Sequence, residues 1–518
     1  MTRALGIIAL LAVIGCDPPS RTPRWRGAGS STPHAGGTLH LAVKDRVKTL
    51  DPSIAYDEVS FIAVHALHDT LVDYAPDSNE LAPRLAERWE VAPDARTLRF
   101  WLRAGIAYAD GTPILARDFA RGLDRARTSP DSPFGSLLGD LESVHAPSDR
   151  ELVVHLARPN VAFLYVLAMP FACPQRAGEA PASGPYMVAQ WAPGERLVLV
   201  KNPHYWDPAR GRIEHIELRE QVPRDTQFMM FERGELDAIE RLSHPDLLWV
   251  TAQPAWAPFV RTQSALNVYG ARMNVRVKPF DDVRVRQALN YALNKAHTVK
   301  LLAGTAVPAH GMLPPGTLGR ARELAPYPHD AAKARALLAE AGYPDGLDLD
   351  FMTIADEEAE KLAAAMHGDF AEVGVRVRVQ LVSFATWVSM VGKPDGPAFS
   401  YGTWIADTAD PSSFFDARFH SRAITDEYST NDSFYANPEV DALLDSARAE
   451  ADPTKRAELY AHVERILYAD APWIWNYHQQ MVEVLQPYVR DYAPHPVWGR
   501  DFTRAWLDLD AGGERVPW

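Results

Sequence analysis

Strand-like and helix-like segments alternate along this chain of 518 residues, and this interleaving constrains the fold more than any other sequence feature. In the strand-like segments apolar and polar side chains alternate, as in half-buried strands. In most of the helix-like segments an Asp precedes a run of good helix formers. No fixed-period repeat is present, so we expect a single mixed α/β architecture. The predicted strands cover 97–103 and 375–381, and the predicted helices cover 331–341, 440–449 and 453–468, with a further helix opened by Asp281 and Asp282.

The first sixteen residues predict export and lipid attachment. An apolar run over 4–15 follows a basic start and is too short to span a bilayer comfortably. It ends at Cys16, in the position where a bacterial lipoprotein is cleaved and lipidated, and an Asp-Pro-Pro sequence then stops any helix. We therefore expect a signal peptide over 1–15, a lipid on Cys16, and a linker over 16–37 that is rich in Pro, Ser and Gly.

The cysteine count, the lack of a later long apolar segment and the net charge argue against a disulfide, a spanning helix and general nucleic-acid binding. Once Cys16 carries a lipid, only Cys173 remains, so no internal disulfide is predicted and Cys173 is expected to be a buried, inert thiol. No later segment approaches the roughly 20 apolar residues of a spanning helix, so membrane contact is expected through the anchor alone. The formal charge of -14 argues against a general nucleic-acid binder, which needs a basic face.

Motifs of common catalytic and cofactor sites are missing from the sequence. It contains no Gly-x-Ser-x-Gly elbow, phosphate loop, zinc helix or dinucleotide fingerprint. His65 and His68 could share a helix face, but two histidines without a third ligand are expected to be packing or surface residues. We predict no metal and no cofactor. Because 67 acidic residues allow many carboxylate pairs, a membrane-tethered extracytoplasmic hydrolase stays open as an alternative.

Short motifs spread over more than 400 residues occur in a fixed order. In that order they resemble the extracytoplasmic solute-binding proteins of peptide ABC transporters, the dipeptide- and oligopeptide-binding proteins of solute-binding family 5. The motifs include Leu50-Asp51-Pro52, Ala109-Asp110-Gly111-Thr112-Pro113, Ser183-Gly184-Pro185-Tyr186, Lys201-Asn202-Pro203, Gly234-Glu235-Leu236-Asp237, Phe280-Asp281-Asp282 and Ala341-Gly342-Tyr343-Pro344.

The resemblance implies a periplasmic-binding-protein-like α/β fold with a bilobal cleft and a third, inserted lobe. Two chain crossings, near 280 and 485, would form a hinge, and the cleft between the first and third lobes would close on the ligand. The implied lobes are 38–72 with 184–279 and 486–518 for the first, 73–183 for the second and 280–485 for the third.

The loop over 404–411 is the segment most directly tied to ligand binding. It is similar to the family's W-x-x-D-x-x-D-P loop, in which the first aspartate pairs with the α-ammonium group of a peptide, and Asp407 has that position. A hydrogen bond between a carboxylate and an ammonium group is strong where water is excluded. The alternative is that Asp407 is a capping or turn residue. Asp410, which precedes a proline, is predicted to form a turn.

Four other residues are candidates by resemblance. Trp404 is similar to a pocket-wall aromatic of the family, with a core residue as the alternative, and Asn274 matches a strand end near the cleft. Tyr56 is either a pocket aromatic or a loop residue. Tyr401 stands where some members have an arginine that receives the peptide carboxylate, which argues against carboxylate capture at that position.

Taken together, the resemblance implies a monomeric, lipid-anchored substrate-binding subunit of an ABC uptake transporter, outside the cytoplasm on the bacterial cell membrane. Its partners would be a peptide or related small solute, the membrane permease and the ATPase, without nucleic acid. Relatives of this architecture also carry oligosaccharides, nickel chelates, haem or opines. A peptide sensor without transport is the second alternative, beside the hydrolase.

Overall fold

A computed structural model describes residues 22–76 and 78–517 of the protein. Strands and helices interleave along these residues, which confirms the predicted α/β class. The predicted signal peptide and Cys16 lie outside the described residues.

The strands and helices have the following bounds. The strands are β1 Trp25–Arg26, β2 Thr38–Ala42, β3 Val72–Tyr74, β4 Leu81–Pro83, β5 Ala86–Val91, β6 Thr97–Leu102, β7 Leu141–Ser148, β8 Glu151–Leu156, β9 Tyr186–Ala192, β10 Arg196–Lys201, β11 His215–Arg219, β12 Ala238–Glu240, β13 Val260–Ser264, β14 Asn267–Met273, β15 Ala306–Pro308, β16 Leu347–Ile354, β17 Val375–Val382, β18 Phe399–Ile405, β19 Trp473–Leu485, β20 Val489–Arg490, β21 Ala493–His495, β22 Gly499–Asp501, β23 Trp506–Leu507 and β24 Val516–Pro517. The helices are α1 Glu58–Leu67, α2 Ala116–Thr128, α3 Phe163–Val166, α4 Arg224–Glu232, α5 His244–Ala252, α6 Val283–Ala292, α7 Lys295–Leu301, α8 Ala331–Glu340, α9 Glu357–Ala371, α10 Phe384–Met390, α11 Ser412–Phe419, α12 Pro438–Ala449 and α13 Pro453–Asp470.

Side-chain caps fix where the predicted helices begin. Asp282 accepts a hydrogen bond from the backbone N–H of Arg284 at the start of α6, and Asp330 accepts one from Lys333 at the start of α8. Such caps satisfy backbone donors that the first turn leaves free. The helices predicted near 283, 331, 440 and 453 are therefore confirmed, and the last three begin and end within two residues of their predicted bounds.

A four-stranded sheet with the order β2-β11-β10-β9 forms the first body. Strands β2 and β11 are parallel, and the other pairs are antiparallel. Helix α1 packs its apolar face on this sheet, with Ile62 against a core that includes Leu41, Tyr186 and Leu197. The loop that precedes α1 carries Tyr56, so this body positions that side chain.

A second four-stranded sheet, β5-β6-β8-β7, is built only from residues between 86 and 156. Helix α2 covers it, with Phe119 packed among buried side chains that include Phe100 and Leu152. Cys173 is fully buried beside this region as a free thiol.

The largest sheet has eight strands and follows the order β12-β19-β14-β18-β16-β17, with β13 and β15 also paired to β19. Strand β19 has 13 residues and bonds to β12 and β13 near its end and to β14 near its beginning. Strand β17 ends the sheet, and its Arg376 and Arg378 form ion pairs with Asp348 and Asp350 of β16. The sheet places the carboxyl end of β18 next to the first body.

Part of the segment predicted as a linker is packed on the protein. Strand β1 pairs with β24, and Trp25 packs against the core of the first body. The backbone N–H groups of Gly29 and Ser30 donate hydrogen bonds to the carboxylate of Asp508. An aromatic side chain and a buried acceptor thus hold residues that composition alone marks as a linker.

Within residues 22–76 and 78–517, no helix is both long enough and apolar enough to cross a bilayer.

Candidate functional site

The candidate site is the loop that follows β18. Strand β18 lies inside the largest sheet, antiparallel to β14 and parallel to β16. Its loop is fixed at the start by a hydrogen bond of 2.9 Å from the N–H of Ala406 to the carbonyl of Leu266. Ligands of α/β proteins commonly bind where strands end, because loops there are free to present side chains.

Asp410 anchors the far end of this loop. Its side chain is fully buried, accepts hydrogen bonds from both terminal nitrogens of Arg456, and accepts another from the N–H of Ser412 at 2.9 Å. The predicted turn at Asp410 is present. The buried ion pair with Arg456, itself 3% exposed, was not foreseen and gives Asp410 a structural role.

Asp407 is held differently. Its carboxylate accepts a hydrogen bond of 2.5 Å from the hydroxyl of Tyr56, 351 residues away in sequence. Among the described residues it has no ion-pair partner, unlike Asp410. Burial raises the pKa of Asp407, and the hydrogen bond from Tyr56 only partly opposes that shift. A desolvated carboxylate whose partner is neutral is favourable for binding a cation.

Tyr56, in the loop before α1, is the hydrogen-bond partner of Asp407. Its ring is 49% exposed and makes edge contacts with Phe61 of α1 at 6.2 Å and with Phe134 at 5.6 Å. Burial of its hydroxyl end, together with the bond to Asp407, raises the pKa of Tyr56 well above its usual range. Whether Tyr56 is a pocket aromatic or a loop residue stays a prediction, and the structure adds its contact with Asp407.

Trp404 and Tyr401 point to opposite faces of β18, because they are three residues apart on a strand. Trp404 is partly exposed, donates its indole N–H to the carbonyl of Ser413 at 2.7 Å, and lies 4.8 Å from the guanidinium of Arg418. Tyr401 is 3% exposed and packs in the other core beside Trp387. The structure thus places Trp404 at the base of the loop and Tyr401 inside the protein.

Asn274 directly follows β14 and is 2% exposed. Its side-chain oxygen accepts a hydrogen bond of 3.1 Å from the N–H of Arg276, so it closes a turn. The structure therefore brings Asp407 and Tyr56 into contact, places Trp404 at the end of β18 three residues before Asp407, and buries Asn274 and Tyr401.

Sequence reasoning did not identify an ion pair between Arg241 and Glu58. Arg241 follows β12, and one of its terminal nitrogens donates to both carboxylate oxygens of Glu58, at 2.6 Å for Oε1. Glu58 is the first residue of α1, two positions after Tyr56. The two partners are 183 residues apart, so no local pattern indicates that they pair. The sequence offers one signal for Arg241, which is its position shortly after the Gly234-Glu235-Leu236-Asp237 motif.

A cavity of about 260 Å³ lies next to the loop, lined by residues that include Tyr74, Arg210, Arg261, His495 and Trp498. The hydroxyl of Tyr74 accepts a hydrogen bond of 3.2 Å from the N–H of Ala409, which joins the cavity wall to the Asp407 loop. His65 stacks on Trp498 and is buried, as expected for a packing histidine. In the described ranges, no group of three or more His, Cys, Asp or Glu side chains is placed to hold a metal.

The chain is similar to known proteins over most of its length. Residues 80–426 match the family described as bacterial extracellular solute-binding proteins, family 5. The glutathione-binding protein GsiB of Salmonella typhimurium is 29% identical over 453 residues, which cover 84% of this chain and 87% of that protein. Haem-binding protein A of Haemophilus influenzae is 25% identical, covering 94% of this chain and 95% of that protein.

Among solved structures, the clavulanic acid biosynthesis oligopeptide binding protein 2 is similar to this chain, with a TM-score of 0.83 and 27% identity over 94% of this chain and 99% of that one. The fold class predicted from the resemblance is thereby confirmed. The matched family consists of binding proteins, which supports the binding class over the hydrolase alternative. The match spans well over half of the chain, and the protein belongs to family 5 of the bacterial extracellular solute-binding proteins.

Proposed function

We propose that this protein is the substrate-binding subunit of an ABC uptake transporter, and that it captures peptides by binding their α-ammonium group at Asp407. The observation that carries the proposal is the environment of Asp407: its carboxylate is partly buried, its pKa is raised, and within residues 22–76 and 78–517 its one hydrogen-bond partner is the neutral hydroxyl of Tyr56. The names of similar proteins, a glutathione-binding and an oligopeptide-binding protein, support peptides as the ligand class.

An α-ammonium group would supply a positive charge and further hydrogen-bond donors to the carboxylate of Asp407. It donates up to three hydrogen bonds and carries the positive charge that favours the ionised form of Asp407. Tyr56 would remain as a second donor to the same carboxylate, because a carboxylate accepts several hydrogen bonds. Binding at the peptide terminus fixes the register of the ligand without reading its side chains.

Closure of the cleft would couple binding to transport. Tyr56 belongs to the first body and Asp407 follows a strand of the largest sheet, so the hydrogen bond between them joins these two parts of the protein. A ligand that contacts both walls stabilises the closed form and shifts the population toward it. We propose that the permease recognises this form, and that the lobes have the boundaries predicted from the resemblance, with the hinge near 280 and 485.

A cycle of four calorimetric titrations tests the proposal. Trialanine and N-acetyl-trialanine are titrated into wild type and Asp407→Asn. Loss of the charge pair should cost about 2 to 5 kcal/mol, so either change alone weakens binding at least roughly tenfold. Both changes remove the same interaction, so the acetyl group should have little further effect on the variant.

The matched control is Asp426→Asn, because Asp426 is an exposed aspartate of the same chain. This variant should bind trialanine as wild type does. Additive losses in the cycle, or tight binding of N-acetyl-trialanine to wild type, would refute α-ammonium capture. Mass spectrometry of small molecules that copurify with the protein would then identify the solute directly.

Attachment to the membrane is proposed through a lipid on Cys16, which lies outside the described residues. Cys16→Ser should release the protein from the membrane fraction or leave an unprocessed precursor. Wild-type fractionation and migration of this variant would contradict the anchor.

A further inference from the structure

We propose that Glu240 and Glu483 share one proton at neutral pH, and that loss of this proton weakens the contact which the two residues make, through Arg500, between the first body and the largest sheet. We call this contact of three side chains the joint. It lies outside the loop that carries Asp407, and it needs neither a ligand nor a transporter.

Arg500 is the cation of the joint. It belongs to β22, its side chain is fully buried, and its Nη1 donates a hydrogen bond of 3.4 Å to the carbonyl of Ala42 in β2 of the first body. Its Nε faces Glu240 of β12 and Glu483 of β19, two strands of the largest sheet. Nη2 has no hydrogen-bond partner among the described residues. Asp501, the next residue of the strand, points to the opposite face.

Both carboxylates of the joint compete for one N–H group. Nε of Arg500 donates to Oε1 of Glu483 at 3.2 Å and lies 3.3 Å from Oε2 of Glu240. The two glutamates are directly opposite each other in the paired strands, and their side chains are 1% and 17% exposed. Two buried carboxylates that share a single cation repel each other when both are ionised, so one of them retains a proton.

The other cations near the joint have partners of their own. Arg241 follows Glu240 in the chain, but it forms an ion pair with Glu58. Arg261 lies opposite Glu483 on β13, but its guanidinium donates to two backbone carbonyls just before it in the chain. Within residues 22–76 and 78–517, the joint therefore has two carboxylates for one guanidinium.

Two titratable side chains of the segment before β22 are neutral at pH 7. Burial raises the pKa of Tyr492, which lies beside Glu483, well above its usual range. Burial lowers the pKa of His495 on β21 to about 4. Burial raises the pKa of Glu483 to about 8, with Arg500 opposing this shift and Glu240 adding to it.

The retained proton sets the direction of the pH dependence. Below about pH 8 the joint is an ion pair of one carboxylate and one guanidinium, and above it the joint carries an uncompensated negative charge. Between the ordinary glutamate value of 4.5 and about 8, the folded protein binds one proton more than the unfolded chain. The joint therefore stabilises the protein most at the acidic end of this range, and that contribution is lost as the pH rises through it.

Differential scanning calorimetry over roughly pH 5 to 9 tests the proposal on wild type, Glu483→Gln and Glu240→Gln. Removing either carboxylate leaves the other with Arg500, so both variants should lose the decline. The melting temperature of wild type should fall relative to either variant by up to about 3 °C per pH unit, and the difference should level off above about pH 8. The matched control is Glu458→Gln, at an exposed glutamate of α13, which should follow wild type.

Two further measurements report the proton and the joint separately. An infrared difference spectrum between wild type and either variant at pH 7 should show the carbonyl band of a protonated carboxylic acid. Above about pH 8, backbone amides of β22 should exchange hydrogen faster in wild type than in Glu483→Gln at the same pH.

Parallel melting profiles of wild type and both variants, or a difference spectrum without the acid band, would overturn the shared proton. Equal amide exchange of wild type and variant at alkaline pH would overturn the weakening of the joint. If one variant fails to fold, the other still decides the question, because each removes one of the two competing charges.

Discussion

Asp407 and Asp410 lie three residues apart in one loop, and the same substitution should have opposite consequences at the two positions. Asp410 is fully buried and paired with Arg456, whose second terminal nitrogen also donates a hydrogen bond of 2.9 Å to the hydroxyl of Tyr460. Asp410→Asn removes the negative charge and leaves the guanidinium of Arg456 buried without its partner. Asp407→Asn removes a charge that burial already disfavours.

The expected loss of stability in Asp410→Asn follows from the burial of its ion pair with Arg456. Breaking a buried ion pair by removing one partner costs about 3–5 kcal/mol of stability. With roughly 2–4 °C per kcal/mol for a body of 150–250 residues, Asp410→Asn should lower the melting temperature by about 10 °C. Asp407→Asn should leave the melting temperature of the empty protein nearly unchanged, because no ion pair is lost.

Differential scanning calorimetry on the ligand-free variants measures both effects. The double variant Asp410→Asn/Arg456→Gln should lose less stability than the sum of its single changes, since each change removes the same pair. Equal melting temperatures for Asp410→Asn and wild type would refute the structural role of Asp410. A larger loss in Asp407→Asn than in Asp410→Asn would refute the division of roles in this loop.

Three further outcomes are expected from the titratable groups. Because an ammonium ligand favours the ionised form of Asp407, whose pKa is raised above 3.8 in the empty protein, trialanine binding should weaken as the pH falls through that raised pKa, and calorimetry on Asp407→Asn should show no such dependence. Lys295 is 4% exposed, and burial lowers its pKa from 10.5 to about 7. Between these two pH values the unfolded chain binds one proton more than the folded protein, so the free energy of unfolding should rise with pH across that range. A flat pH profile of stability in wild type, or an unchanged rise in Lys295→Met, would contradict this. Burial raises the pKa of the Cys173 thiol to about 12, so a thiol reagent at mildly alkaline pH should label this cysteine only after denaturation, and labelling of the folded protein would show that the site opens.

Local features were predictable from the sequence because their causes are local. The helix beginning after Asp330 follows from a cap that acts over three residues, and the same holds for Asp282 and Asp452. The turn at Asp410 was predictable for the same reason. Its partner Arg456 was not, because it lies 46 residues away on α13 and nothing in that helix distinguishes it from a surface arginine.

The site was predictable only in part. Resemblance singled out Tyr56 and Asp407 separately, but their contact joins loops 351 residues apart, and no local pattern encodes it. The spacing of three between Tyr401 and Trp404 already places them on opposite faces of a strand. Which of the two side chains lies toward the loop depends on the helices that pack on each side of the sheet. Those are tertiary contacts, which the local sequence does not encode.

Strand β17 has a consequence for the behaviour of the protein at high concentration. In the described part of the chain, one row of its backbone donors and acceptors has no neighbouring strand, and such a row is the usual template for edge-to-edge aggregation. Arg376 and Arg378 place two charges on this strand, each kept in position by an aspartate of β16. A second copy of the protein would have to desolvate and displace these two ion pairs before its own edge strand could pair with β17. The ion pairs therefore act against fibre-like self-association.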